Sequence, residues 1–279
     1  MASARQLIKL ALFGKPIKSS LSPSIHRMFA DQFDLNISYE LKETDAEGFP
    51  AALKDFHLGG GVGCNVTLPL KHEAWLLAGR SSKQANQAQA ANTLVYEAPS
   101  GWMAHTTDGE GLVTDLIVNH GIGLAGKRLL ILGAGGAAAS VLGSLVEGGP
   151  ASVTLVNREG VRARALAERF GAGHGISVIN WERLQLESGF DLVINATSLG
   201  HKGQVPALKS SLFAPGSVCY DLNYHKASEP LKQCCEDMNQ PYIDGLGMLV
   251  EQAAASFKIW TGKKPDSRVV INAHRSEAN

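Results

Sequence analysis

The chain has few cysteines, and their spacing fits neither disulfides nor a metal site. Cys64, Cys219, Cys234 and Cys235 are the only four in 279 residues, and there is no CxxC motif. A secreted disulfide scaffold and a zinc site are therefore disfavoured, and we expect no metal. Cys234 and Cys235 fall on a predicted helix, where we expect at least one of the two thiols to be buried.

A surplus of charge of one sign is also missing. The 26 Lys and Arg residues balance 26 Asp and Glu residues, which gives a net charge of zero and a pI near 7.1. Without a basic surplus, we expect no binding to nucleic acid or to an anionic membrane. Apolar residues at 44% and charged residues at 19% are typical of a folded globular protein rather than a disordered one.

Long hydrophobic runs are scarce. The segment 129–146 carries no charge, but Gly135 and Gly136 interrupt it, so a strand, a turn and a helix explain it better than a membrane span. The N-terminal sequence MASARQLIKLALFGKP contains a short apolar run without a small-residue cleavage site, and we interpret this run as a first strand. A cytoplasmic location follows as a prediction.

Glycine, in contrast, is abundant, with 30 residues where a background of roughly 7% would give about 20. A three-residue period is absent, which excludes collagen, so the surplus must lie in turns or ligand loops. Alternating strand and helix signals indicate an α/β protein, and the length predicts two domains, the second of them doubly wound. The predicted strands cover residues 7–13, 37–42, 62–66, 128–132, 152–157, 191–195 and 218–221, and the predicted helices cover 24–34, 49–57, 111–120 and 247–260.

A glycine turn joins a buried strand to a helix in the second domain. The strand 129–132 runs into a G-x-G-x-x-A pattern, a frame that binds the pyrophosphate of a dinucleotide at a helix N-terminus. Gly133 allows the tight turn, Gly135 allows the pyrophosphate to approach, and Ala138 allows the helix to pack on the strand. The predicted cofactor contacts are Gly133, Ala134, Gly135, Gly136 and Ala137.

The following strand indicates which dinucleotide is bound. An NAD site favours an acidic residue here, whereas this strand ends in Asn157 and Arg158, with Arg162 four residues later. One helical turn apart, the two guanidiniums could hold a 2′-phosphate, which favours NADP. Glu159, between them, opposes this interpretation, and the alternative is that both arginines belong to a solvated helix.

Short polar motifs occupy the ends of elements in the first domain. Ser20 and Ser22 precede a helix, the segment 65–71 follows a strand, and Asn92 and Asp108 occupy turns. Each motif alone is typical of helix caps and turns. Together with a dinucleotide turn, they suggest a pocket for a small polyhydroxylated acid, with Lys71 and Asp108 as its ionisable pair.

These motifs, taken in order, resemble those of the shikimate dehydrogenase family. They are SxSP with SIH (20–26), NVTLPLK (65–71), ANTL (91–94), TTDGEGL (106–112), GAGGAA (133–138), NR (157–158), INATSLG (194–200), YDLNY (220–224) and DGLGMLVEQAA (244–254). The resemblance implies NADP-dependent reduction of 3-dehydroshikimate to shikimate in aromatic amino-acid biosynthesis. It also implies a substrate domain (1–107), a Rossmann-like NADP domain (108–244) and a C-terminal helical segment (245–279) that returns to the first domain.

The resemblance also implies roles for individual residues. Ser20 and Ser22 would bind the substrate carboxylate. The ring hydroxyls would be held by Thr67, Lys71, Asn92 and Asp108, and the pocket would be closed by Tyr224 and Gln252. The adenosine 2′-phosphate would be bound by Asn157, Arg158 and Arg162, and the nicotinamide would be flanked by Leu222 and Gly245. As the catalytic pair, Lys71 would donate the proton and Asp108 would orient the substrate and keep Lys71 charged.

Several positions depart from the family pattern. Glu159 replaces the usual threonine after NR, and Leu70, Leu199 and Asn223 occupy positions that often differ, with no chemical consequence visible in the sequence. Two alternatives therefore stay open: a quinate/shikimate dehydrogenase with relaxed use of NAD and NADP, and a non-catalytic metabolite sensor on the same fold. The expected partner is a small-molecule substrate, and a homodimer is compatible with the sequence.

Overall fold

The computed structural model describes residues 6–170 and 175–277, which divide into two compact units. The first unit comprises the chain up to Gly111 together with the chain from Val250 onward, and the second unit is Leu112–Leu249. Both contain parallel strands with helices between them, so the α/β class predicted from the sequence is confirmed.

The first unit is built on a mixed sheet with strand order β2-β1-β3-β5-β6-β4. Its strands are β1 (Ile8–Gly14), β2 (Ile37–Glu43), β3 (Gly61–Val66), β4 (Arg80–Ser81), β5 (Thr93–Glu97) and β6 (Gly101–His105). β1 pairs parallel with β2 and β3, whereas β5 pairs antiparallel with β3 and β6. The three predicted strands are confirmed. The β5–β6 hairpin was not predicted, because its flanking polar residues were interpreted only as ligand motifs.

Three helices begin at the polar motifs of the first unit: α1 (Ser22–Asp31), α3 (Lys71–Leu77) and α5 (Asp108–Thr114), of which α5 continues into the second unit. The first unit also contains α2 (Phe49–Leu58) and α4 (Lys83–Ala88). Pro23 stands in the first turn of α1, where a missing N–H costs nothing. The ring of Phe13 packs edge-on against those of Phe49 and Phe56, at centroid distances of 5.4 and 5.7 Å. This aromatic cluster anchors α2 to the sheet.

The second unit is a parallel sheet with strand order β12-β11-β10-β7-β8-β9. Its strands are β7 (Arg128–Leu132), β8 (Ser152–Val156), β9 (Ile176–Ile179), β10 (Phe190–Asn195), β11 (Phe213–Asp221) and β12 (Tyr242–Ile243). Its helices include α6 (Gly136–Glu147), α7 (Gly160–Glu168), α8 (Trp181–Leu184) and α9 (Glu229–Asp237), and a π-helical segment, Asp115–Asn119, continues α5. The doubly wound prediction is confirmed.

The residues of β7 alternate between two apolar layers. Leu129 and Ile131 pack in one core and Leu130 and Leu132 in the other, all four fully buried. A strand covered on both faces by helices needs this continuous apolar run. Cys235 of α9 is buried in the second of these cores, which confirms that at least one of the two neighbouring thiols is buried.

The chain then returns to the first unit through α10 (Leu246–Thr261) and α11 (Ser267–Glu277). Phe257 of α10 packs edge-on against Phe29 of α1 at 5.6 Å, and α11 also contacts α1. The predicted return of a C-terminal helix is confirmed, although α11 itself was not predicted, because its sequence is largely polar. Among the described helices, none is both long enough and apolar enough to cross a membrane.

Candidate active site

Lys71 and Asp108 form a largely buried ion pair in the first unit. Lys71 begins α3 directly after the β3 exit loop, and Asp108 begins α5. Lys71 Nζ lies 2.6 Å from Asp108 Oδ2, and the two side chains are 14% and 8% exposed. The fold thus brings together two groups 37 residues apart, as a charge-assisted hydrogen bond shielded from water. The helix dipole at the start of α5 also favours the carboxylate.

Asn92 holds the other oxygen of this carboxylate. Its Nδ2 donates to Asp108 Oδ1 at 3.0 Å and to Gln252 Oε1 of α10 at 3.0 Å. A Cβ on Gly111 would come within 2.6 Å of the Gln252 amide nitrogen, so glycine is required for α5 to approach α10 this closely. Four of the predicted substrate residues, Lys71, Asn92, Asp108 and Gln252, therefore share one network.

Ser20, Ser22 and Thr67 lie outside that immediate network. Ser20 Oγ donates to Ser22 Oγ at 3.1 Å and accepts from the Ser22 amide at 3.2 Å, at the start of α1. Thr67 follows β3, and its methyl group lies against Gly14. A Cβ on Gly14 would come within 2.4 Å of that methyl group. Among the described residues, no hydrogen bond joins these three directly to Lys71 or Asp108.

A buried polar network that the sequence reasoning missed is centred on Asn65. Its Oδ1 accepts from Tyr39 at 2.8 Å and from His26 Nε2 at 3.1 Å, while its Nδ2 donates to Ser256 Oγ at 3.0 Å and to the Asn92 carbonyl at 3.1 Å. Burial lowers the pKa of His26 to about 3, so its ring is neutral. A polar residue inside a buried strand was the signal that could have identified Asn65.

The glycine turn of the second unit has the features that a dinucleotide requires. Gly133 has a φ of +104°, and its amide donates to the Val156 carbonyl at 2.7 Å. Gly135 precedes α6 without a side-chain cap, and a Cβ on Gly135 or Gly136 would meet no atom within 4 Å. The protein's own packing does not require these two glycines, so the space beside the first turn fits an approaching pyrophosphate. Ala134 is buried and Ala137 is half-buried.

The arginines predicted for the 2′-phosphate are exposed, but their arrangement differs from the prediction. The placement of Arg158 and Arg162 one turn apart on a single helix is wrong, because α7 begins only at Gly160. Asn157 Nδ2 donates to the Glu159 carbonyl at 3.0 Å and thereby shapes the turn that carries Arg158. Within residues 6–170 and 175–277, neither guanidinium is paired with a carboxylate, so both can meet an anion.

Leu222 and Gly245 are adjacent at the carboxyl end of β11. A Cβ on Gly245 would lie 2.5 Å from the Leu222 carbonyl oxygen, so only glycine allows the two segments to meet. Burial raises the pKa of the neighbouring Asp221 to about 6, against the lowering effect of hydrogen bonds from Asn223 and Asn195. Tyr224 is half-buried, and burial raises its pKa.

The arrangement of the described residues also bears on metal binding. In the part of the chain that the structure describes, no three His, Cys, Asp or Glu side chains are grouped to hold an ion. The fold and these features define a two-unit α/β protein of the dinucleotide-binding class, with a lysine–carboxylate pair in its other unit.

Known proteins place the chain more closely. The family models for the shikimate dehydrogenase substrate binding domain, shikimate / quinate 5-dehydrogenase and the shikimate 5'-dehydrogenase C-terminal domain match residues 12–94, 116–204 and 245–273. The chain is 45% identical over 270 residues to the shikimate dehydrogenase (NADP(+)) of Alkalilimnicola ehrlichii, which covers 96% of this chain and 99% of that protein.

Solved structures agree in fold. An Ael1 enzyme from Pseudomonas putida has a TM-score of 0.88 at 36% identity, with 95% of this chain and 97% of that chain covered. The shikimate 5-dehydrogenase of Thermus thermophilus, solved with NADP(H) and shikimate, has a TM-score of 0.82 at 31% identity, and the match covers 98% of this chain and 100% of that chain. The chain belongs to the shikimate dehydrogenase family.

Proposed function

We propose that this chain is an NADP-dependent shikimate dehydrogenase that interconverts 3-dehydroshikimate and shikimate. The observation that carries the proposal is the buried Lys71–Asp108 pair, whose carboxylate is held by Asn92, itself bonded to Gln252. A protein that only binds a metabolite needs polar contacts but no proton donor in this position. The 45% identical relative named as a shikimate dehydrogenase (NADP(+)) supports the same conclusion.

Reduction of a ketone requires a hydride on carbon and a proton on oxygen. When bound, the reduced nicotinamide supplies the hydride. Lys71 Nζ donates a proton to the carbonyl oxygen as negative charge develops there, which converts the carbonyl to a hydroxyl group. Asp108 stabilises the charged form of Lys71 before the transfer, and the lysine regains its proton from solvent afterwards.

The remaining side chains of the first unit position the substrate. Asn92 and Gln252 present amide groups beside Asp108, and Thr67 adds a hydroxyl at the β3 exit, so hydroxyl groups on a ring find donors and acceptors there. Ser20 and Ser22 offer two hydroxyls at the start of α1 for the substrate carboxylate. Tyr224 is assigned to the substrate by the sequence resemblance alone, and that role stays a prediction.

The cofactor is held by three parts of the second unit. The turn Gly133–Ala137 and the first amides of α6 receive the pyrophosphate, and Leu222 and Gly245 flank the nicotinamide. Asn157, Arg158 and Arg162 bind the adenosine 2′-phosphate, since both guanidiniums are exposed and unpaired among the described residues. Exposed Glu159 beside Arg158 favours some use of NAD, and this supports relaxed cofactor choice as a second candidate function.

Initial rates with shikimate and quinate, each with NADP and NAD, separate these functions. We expect the highest rate of NADPH formation with shikimate and NADP. Comparable rates with quinate or NAD would instead identify the relaxed quinate/shikimate enzyme. Binding of shikimate without turnover in any combination would identify the metabolite sensor.

The finer properties of the protein stay predictions of the sequence. These are a cytoplasmic location, the absence of a nucleic-acid partner, and a homodimer as one compatible assembly. Light scattering on the protein as it elutes from a size-exclusion column distinguishes a monomer of 29.6 kDa from a dimer of twice that mass.

A further inference from the structure

Asn223 connects several loops at the carboxyl end of the second sheet. Its Nδ2 donates to the Thr197 carbonyl at 3.1 Å, in the loop after β10, and to Asp221 Oδ1 at 2.7 Å, at the end of β11. Its backbone amide donates to the same Asp221 oxygen at 3.0 Å, and its carbonyl accepts from the Gly245 amide at 2.9 Å. Asn223 therefore links the end of β11 to two other segments, the loop after β10 and the residue before α10.

These segments lie where an open parallel sheet binds its ligand, outside the carboxyl ends of the strands. Asn195 and Asp221 are register partners on β10 and β11, and Asn195 Nδ2 donates to Asp221 Oδ1 at 2.9 Å. Asn195 Oδ1 in turn accepts from the Thr197 hydroxyl at 2.7 Å. Asn223 closes this ring of bonds, since its side chain reaches both Thr197 and Asp221.

The ring also fixes the neighbours of the cofactor turn. A Cβ on Gly133 would lie 3.1 Å from the Ala196 carbonyl, so the glycine turn packs directly on the loop after β10. Leu222 stands between Asp221 and Asn223, with its carbonyl against Gly245. A shift of the loop after β10 would therefore move the glycine turn and the Leu222–Gly245 contact together.

We infer that Asn223 is a positioning residue for the nicotinamide half of the cofactor, because it ties the loop after β10 to the Leu222–Gly245 contact. The inference rests on the proposed function, in which Leu222 and Gly245 flank the nicotinamide. The residues proposed for the adenosine half, Asn157, Arg158 and Arg162, follow β8, which lies beyond β7 in the sheet, and the Asn223 bonds do not reach them. Asn223 thus acts on one half of the cofactor only.

The test compares two ligands that differ only by the nicotinamide. Binding of NADP and of 2′-phospho-ADP-ribose is measured by calorimetry for the wild type, Asn223→Ala and Asn223→Ser. Asn223→Ala removes both side-chain hydrogen bonds, and the shorter serine side chain, with a single O–H donor, cannot make both of them. We therefore expect NADP affinity to fall about tenfold in Asn223→Ala and to fall in Asn223→Ser as well. Affinity for 2′-phospho-ADP-ribose should stay within about twofold of the wild type. In turnover, KM for NADP rises and KM for shikimate does not.

Asn180→Ala is the matched control. Asn180 caps α8 by accepting from the Arg183 amide at 2.8 Å, so its loss also removes an asparagine hydrogen bond from the second unit. We expect this variant to be less stable, with an unchanged ratio of the two affinities. An equal loss of both ligands in the Asn223 variants, or no loss of NADP, overturns the inference.

The same data separate this inference from the proposed function. Wild-type protein that binds NADP but does not oxidise shikimate contradicts the proposed activity, while the ratio of the two affinities still tests Asn223. Wild-type protein that binds neither ligand overturns both.

Discussion

The carboxylate of Asp115 lies directly against the backbone of Gly247 in the second unit. A Cβ at Gly247 would come within 2.0 Å of Asp115 Oδ1, so only glycine fits at this position of α10. The carboxylate is fully buried and accepts hydrogen bonds from the Tyr220 hydroxyl at 2.7 Å and from Asn119 Nδ2 at 2.8 Å. It thereby joins the π-helical segment and β11 at the first turn of α10.

Replacing Gly247 by alanine should destabilise the protein, because the methyl group and the buried carboxylate cannot both occupy this space. We expect a loss of about 2 kcal/mol or more in the free energy of unfolding, measured with urea. Gly136→Ala, also in the first turn of a helix, is the control. A Cβ at Gly136 would meet no atom within 4 Å, so the free energy of unfolding should change by less than about 1 kcal/mol.

A double-mutant cycle tests whether the two residues interact in this way. Asp115→Ala alone should also destabilise, because it leaves the Tyr220 hydroxyl without its acceptor. In the Gly247→Ala background, however, Asp115→Ala relieves the clash, so it should lower the free energy of unfolding much less than it does in the wild type. Strictly additive losses would contradict the described contact.

Lys71→Ala should reduce turnover by about 10²-fold or more, since a positioned acid contributes on this order. Lys71→Arg keeps the positive charge beside Asp108 but is a poor proton donor, so we expect substrate binding to be largely retained and turnover to be lost. Lys42→Ala, which removes a lysine paired with Glu40 on β2, is the control and should leave turnover unchanged. Near-normal turnover in Lys71→Ala would remove this residue from the mechanism.

Arg158→Ala and Arg162→Ala should raise KM for NADP by about tenfold while changing KM for NAD little, because the proposed charge-assisted contact of each guanidinium is with the 2′-phosphate that NAD lacks. Glu159→Thr removes a negative charge from the same turn and should increase the preference for NADP. Arg183→Ala, which removes an arginine paired with Glu187 on α8, is the control. Equal effects on both cofactors would assign the arginines to folding instead.

His26 should make the protein sensitive to acid. Its pKa is lowered from 6.5 to about 3 by burial, so between these values the unfolded chain binds a proton that the folded chain does not. The free energy of unfolding therefore falls by roughly 1.4 kcal/mol per pH unit as pH decreases through this window. For His26→Gln, the free energy of unfolding measured with urea should depend less steeply on pH between pH 6.5 and pH 4 than it does for the wild type.

The exposed His201 provides the comparison for this experiment. His201→Gln should keep the steep pH dependence of the wild type, because this exposed side chain lies outside the buried network around Asn65 that holds His26. If His26→Gln and the wild type lose stability with the same slope, the acid sensitivity belongs to other groups.

Local patterns in the sequence predict many of the strands and helices that the structure contains. The run 129–138 predicts a strand, a turn and a helix by itself, and β7, Gly133 and α6 occur there. The β5–β6 hairpin was not predicted, because its strands are short and begin beside polar residues. The start of α7 was misjudged, because Asn157 and Glu159 shape an extra turn that spacing alone does not reveal.

The candidate site was partly predictable for a similar reason. Lys71 and Asp108 were identified by their motifs, and the structure brings them together. The roles of Asn65 and Asn223 depend on partners that only the folded chain supplies, such as Ser256 for one and Thr197 for the other. An amide in a motif is visible in the sequence, but its acceptors are not.

The central claim is that this protein transfers hydride between shikimate and NADP. Shikimate carrying deuterium on the carbon that bears the oxidised hydroxyl tests it most directly, with mass spectrometry of the NADPH formed. We expect the NADPH to gain one deuterium and Lys71→Ala to form it at least about 10²-fold more slowly. Unlabelled NADPH, or no NADPH at any shikimate concentration, would contradict hydride transfer from shikimate.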